Sequence, residues 1–171
     1  MKTKKLASDA VLGAMCAVLG AISLDMGSIK ITFESLPVLI AAFMFGPLDG
    51  MAVGGIGTLI YQLLKYGVTI TTPLWILPYV LCGLFVGMYA KKYSFNLSWK
   101  QSSAAIFLSG FMVLLLNTLS LYVDSRIFGY YTPAFIYGAL VPRIIIWLLK
   151  AAVFSAFLPG LIKTLKKAEH I

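Results

Sequence analysis

The sequence predicts an all-α membrane protein in which six transmembrane helices form one bundle. Of its 171 residues, 60% are hydrophobic and 12% are charged, whereas soluble domains are about 45–50% apolar and about 25% charged. The apolar residues come in several runs of roughly 18 to 22 residues, a length that crosses ~30 Å of hydrocarbon. Because no break between the runs is long enough to link two domains, we predict a single membrane domain over residues 1–171.

Gly, Pro and charged residues punctuate the chain and place the spans in order. We predict spans at about residues 7–24, 35–47, 49–66, 72–90, 102–123 and 135–162. The first span follows a basic start, and Asp9 interrupts the pattern of a cleaved signal, so we expect a permanent helix. The second is short because Pro37 and Pro47 bound it. Cys16 and Cys82 fall inside spans, where we interpret them as small core residues.

The distribution of basic residues orients these spans. Lysines gather on one side of the predicted bundle: Lys2, Lys4, Lys5, Lys91, Lys92, Lys100, Lys163, Lys166 and Lys167. The positive-inside rule makes this side cytoplasmic, and both termini with it, which agrees with an even number of spans. We therefore expect a multi-pass protein of the cell membrane, specifically a bacterial plasma membrane. The lipid bilayer, and not nucleic acid, is the expected partner of a chain with a net charge of +8.

A cationic helix face near the outer end of the sixth span indicates a cavity. Arg143 follows Pro142, and Trp147 and Lys150 lie four and seven residues further on along the same face. A charge inside a span costs about 2.5–3.5 kcal/mol on insertion scales, so its presence favours a water-filled cavity. Snorkelling of Arg143 to the interface is the alternative. For Lys150 two roles stay open, closing the cavity floor and meeting a partner.

Aromatic and amide side chains accompany these cations on the outer side. Trp75 and Tyr79 are one turn apart, so their rings can share a face, although they would also suit a packed core. The candidate substrate-binding residues are Lys30, Phe33, Trp75, Tyr79, Asn117, Tyr122, Arg126, Tyr131, Arg143 and Trp147. Aromatic faces stack on planar rings and Arg binds carboxylates bidentately, so this set suits a heteroaromatic ligand with an anionic part. A wetted rim with an interfacial aromatic belt is the competing interpretation.

The chain has no recognisable catalytic or nucleotide-binding motif. It lacks G-x-x-x-x-G-K-[ST], H-E-x-x-H, G-x-S-x-G and a clustered His/Cys/carboxylate set. We therefore predict that it is not an enzyme, has no cofactor or metal, and needs an external ATPase. A self-sufficient secondary transporter remains an alternative, although such proteins usually carry midplane acids and internal repeats.

Small residues form stripes on three spans. The first span carries Ala7, Ala10, Ala14, Ala17 and Ala21 at three- and four-residue steps. Such stripes let helix backbones approach closely in lipid, so this long face suits docking onto another membrane protein, with internal packing as the alternative. The shorter motifs Gly50-xxx-Gly54 and Gly83-xxx-Gly87 predict internal packing seams.

The stretch ITFESLPVLIAAFMFGPLDGMAVGGIGTLIYQLL resembles the second and third spans of the substrate-binding S components of energy-coupling factor (ECF) vitamin transporters. Its Leu36-Pro37, Gly46-Pro47, Gly50 and Gly54 match that family, and the resemblance extends over the whole chain. The stretches PLWILPYVLCGLFVG and LVPRII are similar to the folate-specific members. The resemblance implies that Ala10, Ala14 and Ala17 dock on a transmembrane coupling protein, which two ATPases drive.

The resemblance and the residues together predict capture of folate from outside and its delivery inward by an ATP-driven module. A pterin ring would stack on the aromatic side chains, while the two carboxylates of the glutamate tail suit Arg143, Lys30 or Arg126. We expect the first outer loop to open and close, with Gly27 as a hinge and Lys30 to Phe33 as part of a lid. An S component for riboflavin or another vitamin is the alternative.

Overall fold

The structure, a computed structural model, describes residues 2–26 and 29–169 and is built almost entirely of helices. These are α1 Lys2–Ala21, α2 Ser35–Met44, α3 Pro47–Tyr66, α4 Thr72–Lys92, α5 Trp99–Ile127, α6 Pro133–Tyr137 and α7 Leu140–Glu169. An antiparallel hairpin of β1 Leu24–Met26 and β2 Ile29–Ile31 follows α1. The all-α prediction is confirmed, with this hairpin as a small addition. The expected hinge at Gly27 lies outside the described residues.

The six helices of ten residues or more in this part of the chain overlap the six predicted spans. Within residues 2–26 and 29–169, three stretches are long and apolar enough to cross a membrane by themselves: Thr72–Lys92, Trp99–Ile127 and Pro133–Ala168. Helix α2 has ten residues, too few for ~30 Å of hydrocarbon. Its residues 37–44 are buried, so the other helices enclose it and it needs no contact with lipid.

Local sequence explains where several helices begin. Helix α3 starts with Pro47, whose fixed φ suits the first turn, directly after Gly46 in a positive-φ conformation (φ 109°). Helix α5 starts at a capping box, in which the Ser98 side chain accepts a hydrogen bond from the Gln101 amide while the Gln101 side chain accepts one from the Ser98 amide. These signals fix where α3, which packs on α2, and α5 begin.

Glycines bring α3 and α4 into direct backbone contact. A Cβ at Gly83 would overlap the backbone of Gly50, and a Cβ at Gly54 would lie 2.6 Å from the carbonyl oxygen of Tyr79. Gly87 faces Pro47 equally closely. The two Gly-xxx-Gly motifs therefore form one internal seam, as the sequence predicts.

The alanine face of α1 is exposed only in part. Ala10 and Ala14 are exposed, as the proposed docking face requires. Ala17 is 6% exposed, so the inclusion of this residue in an accessible face needs correction. It lies beside Cys16, which packs so closely on Gly57 of α3 that a Cβ there would be 2.5 Å from the Cys16 Cβ. This contact turns the outer part of α1 toward the bundle.

Candidate ligand-binding site

A hollow lies among α4, α5 and α7, and the chain from β2 into α2 closes one side of it. Its cavity volume is about 140 Å³, and the total empty space, which includes open solvent at its mouth, is about 1030 Å³. Small-molecule pockets usually measure about 300–1,000 Å³ and combine apolar walls with a few polar groups. The hollow matches this description in its lining, whereas its cavity volume of about 140 Å³ lies below this range.

Six of the ten candidate residues line this hollow. They are Lys30, Trp75, Tyr79, Asn117, Arg143 and Trp147. The other four, Phe33, Tyr122, Arg126 and Tyr131, are not among its lining residues. The structure thus brings together the aromatic and cationic residues from α4 and α7 that the sequence predicts to share a site.

The register of α5 explains why Arg126 lies outside the hollow. Asn117 lines it, and Arg126 follows nine residues later, which is two and a half turns and therefore the opposite side of the helix. The Arg126 guanidinium lies 3.9 Å from the ring centroid of Tyr131 and 5.4 Å from that of Tyr122. These two rings meet edge to face at 5.5 Å. Arg126, Tyr122 and Tyr131 thus form a cation–aromatic cluster outside the hollow. The fourth residue outside it, Phe33, has a side chain that is 43% exposed.

Helix α7 supplies one wall of the hollow with a continuous face. Arg143, Trp147 and Lys150 all line it, as their spacing predicts. The Arg143 Nη1 donates to the Thr118 hydroxyl of α5 at 3.2 Å. The Trp147 Nε1 donates to the carbonyl of Phe107 at 3.3 Å, and the two rings lie 4.5 Å apart. Both side chains are therefore oriented by α5.

Helix α4 supplies the facing wall, and Asp124 of α5 orients its tryptophan. The Trp75 Nε1 donates to the Asp124 Oδ1 at 3.4 Å, and the Thr71 hydroxyl donates to the same oxygen at 2.5 Å. Tyr130 donates to the Asp124 Oδ2. Burial and this hydrogen bond raise the pKa of Tyr130 above its usual value. Asp124 thus connects the outer end of α4 to the loop after α5.

The hairpin brings Lys30 to the hollow. Its ammonium lies 3.9 Å from the ring centroid of Tyr61 and 5.3 Å from that of Tyr66, both on α3. Tyr61 is fully buried. Cation–π contacts of this kind hold a flexible lysine in place, so Lys30 is positioned and not a freely moving loop side chain.

Several polar residues of the hollow were not among the candidate substrate-binding residues. Thr32, Glu34, Gln62 and Ser109 line it and are each at most 6% exposed. The Thr32 hydroxyl donates to the Glu34 Oε1 at 3.0 Å. Glu34 directly precedes the enclosed helix α2, and an acidic residue before so apolar a helix is the signal that could have revealed it. Lys150 also lines the hollow, which favours its role at the cavity floor.

The lining of the hollow carries an excess of positive charge. Lys30, Arg143 and Lys150 are cationic and Glu34 is anionic, which leaves two positive charges in excess. Charges of one sign in a cleft with low-dielectric walls attract ligands of the opposite sign. The hollow therefore suits a ligand that combines a planar ring with two negative charges.

Comparison with known proteins identifies the family. The model of the family described as ECF transporter, substrate-specific component, matches residues 4–165. The solved structure titled "Structure and mechanism of the S component of a bacterial ECF transporter" is similar in fold, with a TM-score of 0.70, 22% identity, and coverage of 97% of this chain and 99% of that one. No curated protein matches. Since the family match spans nearly the whole sequence, the chain belongs to the substrate-specific (S) components of ECF transporters, which are membrane-embedded substrate-binding subunits.

Proposed function

We propose that this S component binds folate. The excess of two positive charges in the hollow is the observation that carries the proposal. Folate is a dianion at neutral pH because both carboxylates of its glutamate tail are ionised. Riboflavin has a stacking ring but no charge, and thiamin is a cation. Among these three vitamins the hollow is therefore complementary to folate.

The walls of the hollow also suit the two halves of folate. Trp75, Tyr79 and Trp147 offer aromatic surfaces for a pterin ring, and such stacking contributes about 0.5–1.5 kcal/mol per pair beyond burial. Arg143 and Lys30 are cations that suit the tail carboxylates. Arg126, held on Tyr131, is left out of this assignment.

Transport would require an external motor. In this proposal the chain is a single membrane domain with both termini in the cytoplasm of a bacterial cell, and it takes up folate from outside. A coupling protein docks on the exposed Ala10 and Ala14 of α1, and two ATPases drive delivery inward. The neighbouring Leu6 and Val11 are 69% and 60% exposed, which makes this part of α1 an apolar surface available for contact.

Titration of the purified protein with folate, riboflavin and thiamin tests the ligand. Of the three tryptophans, Trp75 and Trp147 line the hollow, whereas Trp99 lies elsewhere and is 53% exposed. A Trp99→Phe background therefore makes fluorescence quenching report on the hollow. We expect saturable quenching and calorimetric heat with folate, and tight binding of riboflavin alone would overturn the assignment.

Uptake into liposomes tests the coupling. We expect folate uptake only when the coupling protein, both ATPases and ATP are present, and we expect Ala14→Trp to abolish uptake while leaving folate binding intact. Leu115→Trp is a matched control, because Leu115 is a 54% exposed residue of α5 and lies far from this face in sequence. ATP-independent uptake by the chain alone would show a secondary transporter.

A further inference from the structure

Pro78 interrupts the hydrogen-bond ladder of α4 at the wall of the hollow. It lies inside the helix, and because proline has no N–H, it cannot donate to the carbonyl of Leu74 four residues earlier. Pro78 is buried, and a backbone carbonyl without a donor is costly inside a membrane span. The Leu74 carbonyl therefore needs a hydrogen-bond donor from outside its own helix.

Ser120 of α5 supplies this donor. Its hydroxyl oxygen lies 2.7 Å from the Leu74 carbonyl oxygen and 2.9 Å from the carbonyl oxygen of Leu116, one turn earlier on α5. A serine hydroxyl has one proton, so the two carbonyls share it in a three-centre hydrogen bond. Ser120 is 4% exposed, so the bond is shielded from solvent. It therefore satisfies the carbonyl that Pro78 leaves without an intrahelical donor.

The parts of α4 before and after Pro78 are held by different helices. Before Pro78, the Trp75 Nε1 donates to Asp124 of α5 at 3.4 Å. After Pro78, the Tyr79 backbone lies against Gly54 of α3, where a Cβ would be 2.6 Å from the Tyr79 carbonyl oxygen. Because Trp75 and Tyr79 both line the hollow, the spacing between their rings depends on how the start of α4 is attached to α5.

We propose that Ser120 is a positioning residue for the aromatic part of the hollow. Its bond to the Leu74 carbonyl fixes the segment that carries Trp75, and thereby sets the spacing between Trp75 and Tyr79. Where it concerns ligand affinity, this inference rests on the proposed folate function. The described residues that line the hollow do not include Ser120, so it acts through Trp75 and not by touching the ligand. Without its hydroxyl, the start of α4 can tilt at Pro78.

Fluorescence of Trp75 tests this role in the absence of any ligand. A Trp99→Phe/Trp147→Phe background leaves Trp75 as the single tryptophan of the chain. In this background Ser120→Ala should increase the quenching of Trp75 by acrylamide, because the helix segment that carries the indole loses its attachment to α5. Unchanged quenching would overturn the role of Ser120, whatever the ligand of the hollow is.

Ser125→Ala is the matched control. Ser125 is likewise buried on α5, and its hydroxyl donates to the carbonyl of Tyr122 within the same helix at 2.8 Å. The substitution thus removes a buried hydroxyl whose hydrogen bond stays inside α5, and the quenching of Trp75 should not change. Equal increases in Ser120→Ala and Ser125→Ala would show a general loosening of α5 and would overturn the proposal.

Pro78→Ala tests why the Ser120 hydroxyl is needed. An alanine N–H at this position can donate to the Leu74 carbonyl, so the loss of the serine hydroxyl should matter little in this background. In calorimetric titrations with folate, we expect Ser120→Ala to weaken binding about tenfold when Pro78 is present, as for a buried carbonyl left unsatisfied. The same substitution should weaken binding less than about twofold in Pro78→Ala.

The outcomes of these titrations separate the two proposals. Equal losses of folate affinity with and without Pro78 would overturn the link through Leu74. Increased quenching of Trp75 in Ser120→Ala with unchanged folate affinity would overturn the positioning role. Absence of folate binding to wild type would overturn the folate assignment, whereas the quenching of Trp75 would still decide whether Ser120 holds the start of α4.

Discussion

The two halves of α4 contact the rest of the protein in opposite ways. In the second half Gly83 and Gly87 press against α3 so closely that no side chain fits between the helices. In the first half the Trp75 and Tyr79 side chains border a hollow with a cavity volume of about 140 Å³. A single helix therefore belongs both to a tight seam and to the wall of a candidate binding site.

The difference between the seam and the hollow follows from the forces that hold helices together in a bilayer. Helices in a bilayer gain little from the hydrophobic effect, so the seam depends on van der Waals contact between backbones. The hollow depends instead on hydrogen bonds that hold large side chains in place, such as Trp147 to the carbonyl of Phe107. We infer that the seam is a rigid scaffold and that the side chains around the hollow provide ligand specificity.

The largest expected effect comes from placing a methyl group in the seam. A Cβ at Gly83 would overlap the backbone of Gly50, which cannot move as a side-chain end can. Overpacking of this kind costs about 1–3 kcal/mol or more, so Gly83→Ala should lower the thermal unfolding midpoint in detergent strongly. Gly13→Ala is the control, since nothing lies within 4 Å of a Cβ there. Similar midpoints for the two variants would contradict the description of the seam as rigid.

The next effect concerns two arginines, one inside the hollow and one outside it. Arg143 lines the hollow and Arg126 does not. Loss of a hydrogen bond to a charged group costs about 1.5–3 kcal/mol, so Arg143→Gln should weaken folate binding by roughly 10- to 100-fold. Arg126→Gln should change it by less than about twofold, in line with an exposed cation on an aromatic ring. Calorimetric titration measures both, and a larger loss from Arg126→Gln would place the tail outside the hollow.

These two arginines also show how far the sequence could predict the site. The shared face of Arg143, Trp147 and Lys150 follows from helical spacing within one element, and the structure has it as predicted. Arg126 was grouped with the site because it lies on the outer side, but its position around α5 turns it away. The side of a helix that faces the hollow depends on how the neighbouring helices pack, and residue spacing within one span does not reveal this packing.

Glu34 shows a second feature of the site that could not be predicted from the sequence. It lies in a segment predicted to be an outer loop, and an acidic loop residue is ordinarily solvated. The enclosure of α2 carries it into the interior, where it is 3% exposed. Burial of a whole helix depends on contacts distant in sequence, so the family-like pattern and the six helices were predictable, while the buried carboxylate of Glu34 in the lining of the hollow was not.

A smaller effect is expected at Gly110, because this glycine faces Trp147 at the hollow and does not lie in the seam between α3 and α4. A Cβ there would lie 2.9 Å from the Trp147 Nε1, so the indole has to shift. A side chain can move more cheaply than backbone, so Gly110→Ala should weaken folate binding by about tenfold with little change in the unfolding midpoint. Gly55→Ala, whose Cβ would lie 3.2 Å from Val80 on the α3–α4 side, should leave affinity unchanged. Loss of stability without loss of affinity at Gly110 would contradict this division.

The smallest effect should come from Tyr130, which connects Asp124 to the outer loop. Its pKa is raised above the ordinary value of 10.0, by burial and by the hydrogen bond to Asp124. The folded state therefore holds this proton more tightly than the unfolded state, and the resulting stability is complete below about pH 10 and declines as the pH rises further.

Between about pH 9 and about pH 11, the unfolding midpoint of wild type should consequently fall slightly more than that of Tyr130→Phe. Tyr137→Phe is the control, because Tyr137 is 64% exposed. Since Tyr130 is itself 41% exposed, the difference should be small, about 1 °C for a few tenths of a kcal/mol. Identical pH profiles for wild type and Tyr130→Phe would mean that Asp124 orients Trp75 without help from Tyr130, and the support of Trp75 would then come from α4 and α5 alone.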